Sequence, residues 1–125
     1  MTRFIILCCL YYQAISHGFD PRIITAQVFV ESSFRPAVVN AGCYGLGQVN
    51  YKVWCKALNL DRARMLEVNY NLDKAMDILT IYYRQTGDVW RALHRYNCGY
   101  KYHSRYIEKV KKAMRKLYGG ASCQL

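Results

Sequence analysis

Acidic residues are scarce in this chain of 125 residues, with 8 Asp and Glu against 18 Lys and Arg and a formal net charge of +10. Proline is also scarce, at 2 residues, so few helices would be interrupted. Alternating β-branched runs are short, which argues against an all-β domain. The apolar run over residues 4–12 is too short to span a membrane. A composition that is 53% hydrophobic predicts a single mostly α-helical domain over residues 1–125.

The six cysteines lack any Cys-x-x-Cys pair, and no histidine has the spacing of a zinc site. His94 and Cys98 are four residues apart but have no further ligands at a suitable spacing. We therefore expect no metal and no cofactor. Cys8 and Cys9 are predicted as small apolar core residues, which favours synthesis in a reducing compartment. A disulfide between Cys43 and Cys98 is an alternative to six free cysteines, because both residues flank polar motif residues.

Basic residues are concentrated towards the C-terminus, where Glu108 alone opposes nine of them. Such a surface favours polyanionic partners: cell-wall polymers, the anionic lipid of a cell-envelope surface, or nucleic acid. The basic residues could equally form a solvated helix face that keeps a small protein soluble. Charge alone does not distinguish this role from binding of a polyanion. The nine residues are Arg91, Arg95, Lys101, Arg105, Lys109, Lys111, Lys112, Arg115 and Lys116.

The N-terminus begins with a basic residue, Arg3, followed by the apolar run, which is typical of a signal peptide. No clean small-x-small cleavage site follows, and the helical pattern continues through residues 14–18. The sequence therefore predicts a first helix over residues 3–17, with a signal peptide as the alternative.

Helix signals divide the rest of the chain. Asp20 as N-cap and Pro21 at the first position begin a second helix that ends near Ser32, after Gly18 has ended the first. Residues 33–44 are predicted to form a loop. Further helices are predicted over residues 51–58, 71–86, 89–96 with Asp88 as N-cap, and 104–117, the last basic with an apolar stripe.

The second helix carries a carboxylate where its apolar face ends. Ile24, Val28 and Glu31 are spaced by four and three residues, so they share one face. Glu31 then lies in the last turn, where partial desolvation would raise its pKa and favour a protonated acid near neutral pH.

Three polar motifs accompany this carboxylate: Glu-Ser-Ser-Phe-Arg-Pro at residues 31–36, Gly-Cys-Tyr-Gly-Leu-Gly-Gln at 42–48, and Ala-Leu-His-Arg-Tyr-Asn-Cys-Gly at 92–99. Asn-Leu-Asp at 71–73 and Tyr-Ile-x-x-Val at 106–110 add to them. In this order the chain resembles the catalytic domain of soluble lytic transglycosylases, a lysozyme-like fold related to goose-type lysozyme. The resemblance covers about residues 4–118.

The resemblance implies cleavage of the β-1,4 bond between N-acetylmuramic acid and N-acetylglucosamine in peptidoglycan. It makes Glu31 the single catalytic residue, first acid and then base, with a 1,6-anhydro product. Ordinary glycosidases need a second carboxylate. None of the other seven acids stands in a loop near the motifs, which favours the single-carboxylate mechanism.

The resemblance also implies substrate contacts by Ser32, Asn40, Gln48, Tyr96 and Asn97. Ser32 would support Glu31 or the substrate acetamide, with a local hydrogen bond as its alternative. Gln48 would hold a sugar hydroxyl or acetamide, or else stabilise its loop. Tyr96 would donate a hydrogen bond to Glu31, or else be a core residue.

The chain departs from the family pattern in four places. Gly47 replaces the usual Met and would remove an apolar wall of the cleft. Arg95 replaces a small residue, Cys43 and Cys98 replace Ala, and the loop after Glu31 is one residue short. These changes bear on subsite preference more than on activity.

Two other functions stay open: a goose-type hydrolytic lysozyme on the same fold, and a non-catalytic cell-wall-binding protein. A further alternative is that the protein kills bacteria by disrupting their membranes with its basic C-terminal helix. The expected setting is phage lysis or a virion, with a bacterial secretion-system enzyme as the alternative. The protein would be made in the host cytoplasm without a cleaved signal and act in the cell wall or periplasm. We expect a monomer, with no nucleic-acid partner.

Overall fold

The computed structural model describes residues 2–97 and 104–119, and these residues are mostly helical, as predicted. In chain order the elements are α1 (Arg3–Ser16), α2 (Pro21–Ser32), β1 (Val39–Asn40), β2 (Cys43–Tyr44), β3 (Val49–Asn50), α3 (Tyr51–Trp54), a 3-10 turn (Arg62–Arg64), α4 (Val68–Thr86), α5 (Val89–Tyr96) and α6 (Ser104–Tyr118).

Helix α2 lies at the centre of the fold, packed on one side by α1 and on another by α6. Helix α4 packs against α1 and α5 and completes the core. Seven of the twelve residues of α2 are buried, because it is covered on several sides. The predicted face is confirmed: Ile24 and Val28 are each 1% exposed, and Glu31 follows them at the half-buried end of the helix.

The helix ends follow the local sequence signals. The Asp20 carboxylate accepts a hydrogen bond from the Arg22 backbone N–H at 2.9 Å, and Pro21 occupies the first helical position. Gly18, just beyond α1, has a φ of +84°, the left-handed conformation predicted for it. Asp88 caps α5 through hydrogen bonds from the backbone N–H groups of residues 90 and 91.

A small antiparallel sheet lies between α2 and α3, in the order β1-β2-β3. Val39 pairs with Tyr44, and Tyr44 pairs with Val49. The sequence predicted only a loop here, since strands of two residues carry no detectable alternation. Two helix bounds also differ. Helix α3 ends at Trp54 rather than residue 58, and α4 begins at Val68 rather than residue 71.

The cysteines behave differently from one another. Cys8 is exposed on α1 and Cys9 is half-buried, so the prediction that both are core residues is wrong for Cys8. Cys43 is disulfide-bonded, whereas its predicted partner Cys98 lies outside the described residues. Of the helices that the structure describes, none is both long and apolar enough to cross a membrane.

Candidate active site

Glu31 stands where α2 ends and the chain reverses. Ser33 and Phe34 follow with φ values of 53° and 60°, left-handed conformations that are strained for residues with a Cβ. The reversal is held by packing, because the buried Phe34 ring lies 5.3 Å from that of Phe29. The carboxylate is therefore presented by a rigid helix end rather than by a free loop.

The carboxyl group of Glu31 is enclosed and has a phenol as its partner. The Tyr106 hydroxyl, carried by α6, donates a hydrogen bond to Glu31 Oε2 at 2.8 Å. Burial raises the pKa of Glu31 from 4.5 to about 7, although the hydrogen bond from Tyr106 acts in the opposite direction. The group can therefore hold a proton and release it near neutral pH, as general acid–base catalysis requires.

Tyr96 does not make the hydrogen bond to Glu31 that the sequence predicted. Its hydroxyl donates instead to the backbone carbonyl of Gly47 at 2.6 Å, because the carbonyl is the acceptor within reach in this buried position. Tyr96 nevertheless lies within electrostatic reach of Glu31. Burial, followed by the charge of Glu31, raises the pKa of Tyr96 and of Tyr106 well above 10, so both phenols stay protonated.

Tyr106 is the residue that sequence reasoning missed. It belongs to the predicted apolar stripe of α6 and to a motif of the family resemblance, but was given no chemical role. A buried phenol usually finds a hydrogen-bond partner, and this signal could have pointed to Glu31. What the sequence did not contain is that α6 packs directly against α2.

No second carboxylate accompanies Glu31, and the described residues include all eight acids of the chain. Burial is the cause that raises its pKa, and no neighbouring carboxylate contributes. The other seven cap helices, form ion pairs or face solvent: Asp20, Asp61, Glu67, Asp73, Asp77, Asp88 and Glu108.

The second motif forms a tight turn that α4 holds through one amide. Asn71 Oδ1 accepts from the Gly47 N–H at 2.8 Å, while its Nδ2 donates to the carbonyls of Tyr44 at 2.7 Å and Met65 at 2.8 Å. Asn71 is 1% exposed, and its bonds to Gly47 and Met65 are buried while that to Tyr44 is part-buried. Because α4 begins three residues before the predicted start, Asn71 lies inside the helix and reaches across to this turn.

Gln48 also serves the turn. Its Nε2 donates to the carbonyls of Gly45 at 3.0 Å and Val38 at 3.2 Å, and the residue is 6% exposed. This is the loop-stabilising role that stood as the alternative for Gln48. It remains among the residues that line the adjacent cleft.

Gly47 is explained by its neighbours. A Cβ at this position would lie 2.6 Å from the Cβ of Ala75 and 3.1 Å from the Tyr96 hydroxyl oxygen. The space of the family's usual Met is therefore filled by α4 and α5. Replacement of Met by Gly47 therefore does more than remove an apolar wall of the cleft, because a glycine lets the turn pack closely against α4 and α5.

The remaining predicted site residues are dispersed. The Ser32 hydroxyl donates to the Val28 carbonyl at 3.0 Å, the local hydrogen bond considered as its alternative. Asn40 is exposed on β1 and pairs with Cys43. Asn97 follows α5 and is half-buried beside Tyr96. Substrate contact by these residues stays a prediction.

A cleft of about 210 Å³ lies between the turn and the helices α3, α4 and α5. Trp54 and Tyr82 supply aromatic walls, with ring centroids 5.7 Å apart and nearly perpendicular planes. Arg95 lies at this cleft and donates to Gln85 Oε1 at 3.0 Å. Ten residues line the cleft: Gln48, Val49, Asn50, Val53, Trp54, Ile78, Tyr82, Arg95, Tyr96 and Asn97. Aromatic faces beside amides suit a sugar polymer.

Comparison with known proteins gives one match. The model of a family described as the transglycosylase SLT domain matches residues 9–118, from within α1 to the end of α6. Searches of curated proteins and of solved structures found no match. The matched range contains Glu31, the tight turn and Tyr106.

Proposed function

The chain belongs to the transglycosylase SLT domain family, and from this premise we propose that it cleaves the N-acetylmuramic acid–β-1,4–N-acetylglucosamine bond with formation of a 1,6-anhydro ring. Its function is of the lytic transglycosylase type, with peptidoglycan as substrate. The bond cleaved, the anhydro product and the role of each residue are the proposal.

One observation carries the proposal: Glu31 is an enclosed carboxyl whose pKa burial raises to about 7, with no second carboxylate beside it. A carboxyl of this kind is part protonated and part ionised at neutral pH. It can therefore serve as acid in one step and as base in the next. Glycosidases that use two carboxyl groups add to the acid either a separate base about 6.5–9.5 Å away or a nucleophile about 5–5.5 Å away.

In the first proposed step, protonated Glu31 gives its proton to the glycosidic oxygen as the bond from that oxygen to the anomeric carbon breaks. The leaving sugar departs with a new hydroxyl group and the electron pair of the broken bond, and the muramoyl anomeric carbon is left with oxocarbenium character. Glu31 is then a carboxylate, which the Tyr106 hydroxyl stabilises at 2.8 Å.

In the second proposed step, the Glu31 carboxylate takes the proton of the muramoyl 6-hydroxyl. The oxygen forms a bond to the anomeric carbon, which closes the 1,6-anhydro ring. Glu31 is protonated again, so the cycle closes without water and without a cofactor.

The proposed setting is lysis of a bacterium by a phage, through an enzyme made in the host cytoplasm that reaches the wall by lysis machinery or in the virion. The +10 charge supports attraction to anionic wall polymers. The enzyme would act as a monomer on glycan strands in the wall or periplasm.

The test is digestion of purified peptidoglycan, with mass spectrometry of the soluble products. The proposal expects muropeptides with 1,6-anhydro ends from the wild type and none from Glu31→Gln. Glu67→Gln is the matched control, since it removes an exposed carboxyl paired with Arg64 and should leave the products unchanged. Products heavier by one water would establish a hydrolytic lysozyme instead. Absence of any product from the folded wild type would favour a wall-binding protein.

A further inference from the structure

A second group of ionisable side chains joins α1 to α4, apart from Glu31 and the cleft. His17, at the C-terminal end of α1, lies against the first half of α4. Its Nε2 is 3.0 Å from Asp77 Oδ1 and 3.3 Å from Asp73 Oδ1. The His17 side chain is only 15% exposed, and those of Asp73 and Asp77 are 38% and 35% exposed, respectively.

The other ring nitrogen of His17 fixes the tautomer. His17 Nδ1 lies 2.7 Å from the backbone carbonyl of Gln13. A carbonyl oxygen can only accept, so Nδ1 carries the proton. In neutral imidazole the lone pair is then on Nε2, directed at two carboxylate oxygens. Three electron-rich atoms at this distance need either a second proton on Nε2 or a metal cation among them.

The spacing suits a metal ion. Bonds of about 2.0–2.1 Å to a tetrahedral zinc ion place neighbouring ligand atoms roughly 3.3 Å apart. The two distances from Nε2, 3.0 and 3.3 Å, lie close to this value. Metal-bound histidines commonly donate their second N–H to a carbonyl, as Nδ1 does here.

We propose that His17, Asp73 and Asp77 bind one divalent transition-metal ion of the zinc class, which ties α1 to α4. One imidazole and two carboxylates leave a coordination position for water, and this donor set suits zinc, cobalt or manganese. His17 is separated from Asp73 and Asp77 by more than 50 residues of sequence, so no short motif contains the three ligands. The site departs from the expectation of no metal, which rested on spacing alone.

Lys74 lies beside the two carboxylates and provides a further test of metal binding. Its Nζ lies 3.8 Å from the outer oxygens Asp73 Oδ2 and Asp77 Oδ2, where its charge opposes a bound cation. Removing that charge should strengthen metal binding. The rival explanation is a second proton on His17, an imidazolium paired with two carboxylates, and this would bind no metal.

The experiment titrates the full chain with Co²⁺, a spectroscopic substitute for Zn²⁺, with a thermal denaturation series alongside. The visible spectrum separates this site from the free thiols of Cys8, Cys9 and Cys55, because thiolate ligation adds strong near-ultraviolet charge-transfer absorption. The proposal expects one saturable equivalent, no such absorption, and a higher midpoint of thermal unfolding with metal.

Four variants complete the test, each checked for folding by circular dichroism. Asp77→Asn keeps the shape of the side chain, and His17→Gln removes the imidazole; each should weaken binding at least about tenfold. Lys74→Gln should bind more tightly, and Glu108→Gln, an exposed acid on α6, should match the wild type. Absence of saturable binding, equal affinity in Asp77→Asn, or a thiolate spectrum would overturn the site.

Discussion

The end of α2 and the turn at residues 45–48 both carry polar motif residues, but they use them in opposite ways. At the end of α2, the half-buried carboxyl of Glu31 accepts a hydrogen bond from the Tyr106 hydroxyl, and burial raises its pKa to about 7. At the turn, the polar side chains form their hydrogen bonds with backbone groups. These side chains belong to Asn71, Gln48 and Tyr96. One region keeps a group ready to react, and the other holds its shape.

The difference shows that a motif residue can matter to activity without touching substrate. The Tyr96 hydroxyl holds the Gly47 carbonyl, and Asn71 holds the N–H of the same residue. Loss of either would loosen a turn that borders the cleft. Loss of Glu31 would leave the fold intact and remove the reacting group.

The largest expected effect is on activity. Glu31→Gln should lower the rate of peptidoglycan cleavage by about 10³-fold or more, because general acid–base catalysis typically contributes 10²–10⁴-fold. The circular dichroism spectrum should stay that of the wild type. Release of soluble muropeptides measures the rate. A variant that retains most of the wild-type rate would show that Glu31 is not the acid.

The next effect concerns the turn. Asn71→Ala should lower the free energy of unfolding by about 3 kcal/mol or more, because it leaves one N–H and two carbonyls without partners in a buried place. Urea denaturation measures this loss. Arg84→Ala, at an exposed position on the same helix, is the control. If Asn71→Ala were as stable as the control variant, the Asn71 side chain would not be what holds the turn in place.

A third effect links the ionisation of Glu31 to stability. Its pKa is raised from 4.5 to about 7 in the folded state, so the folded state binds this proton more tightly than the unfolded chain. The resulting contribution is complete below pH 4.5 and is lost as the pH rises through 7. Relative to Glu31→Gln, the wild type should therefore lose about 3 kcal/mol at most between pH 4 and pH 8. Urea denaturation of both proteins across this range checks the sign. A constant difference would mean that the pKa of Glu31 is not raised.

The smallest effect distinguishes the two tyrosines. Tyr106→Phe removes the hydrogen bond that stabilises the Glu31 carboxylate, so the pKa of Glu31 rises further and the alkaline limb of the activity profile moves to higher pH. Tyr96→Phe removes a bond to a backbone carbonyl and should mainly lower stability, by about 1 kcal/mol. The pH dependence of cleavage, measured beside urea denaturation, compares them. A shift of the alkaline limb in Tyr96→Phe alone would reverse the assignment.

Much of the helical framework was predictable because its signals are local. Asp20, Pro21 and Asp88 mark helix starts through their own backbone geometry, and the spacing of Ile24, Val28 and Glu31 defines a face. The partner of Glu31 was not predictable in this way. Tyr106 reaches it only because α6 packs on α2, a contact across 75 residues of sequence.

The hydrogen bonds of the turn were not predictable for a related reason. Gln48 and Tyr96 are residue types that bind sugars or backbone groups equally well, and only geometry tells which partner is nearest. Asn71 matches the opening of a helix in sequence, whereas its three hydrogen bonds reach other parts of the chain. Ligand sets such as His17, Asp73 and Asp77 escape sequence patterns for the same reason.

The most direct test of the central claim is the titration of Glu31 itself. Carbon-13 NMR of the glutamate carboxyl groups, with Glu31→Gln to assign the resonance, gives its pKa without any substrate. We predict a midpoint near pH 7 for Glu31, while the exposed Glu67 and Glu108 serve as internal references. A Glu31 midpoint near 4.5 would show an ordinary solvated carboxyl and would contradict a single residue acting as both acid and base.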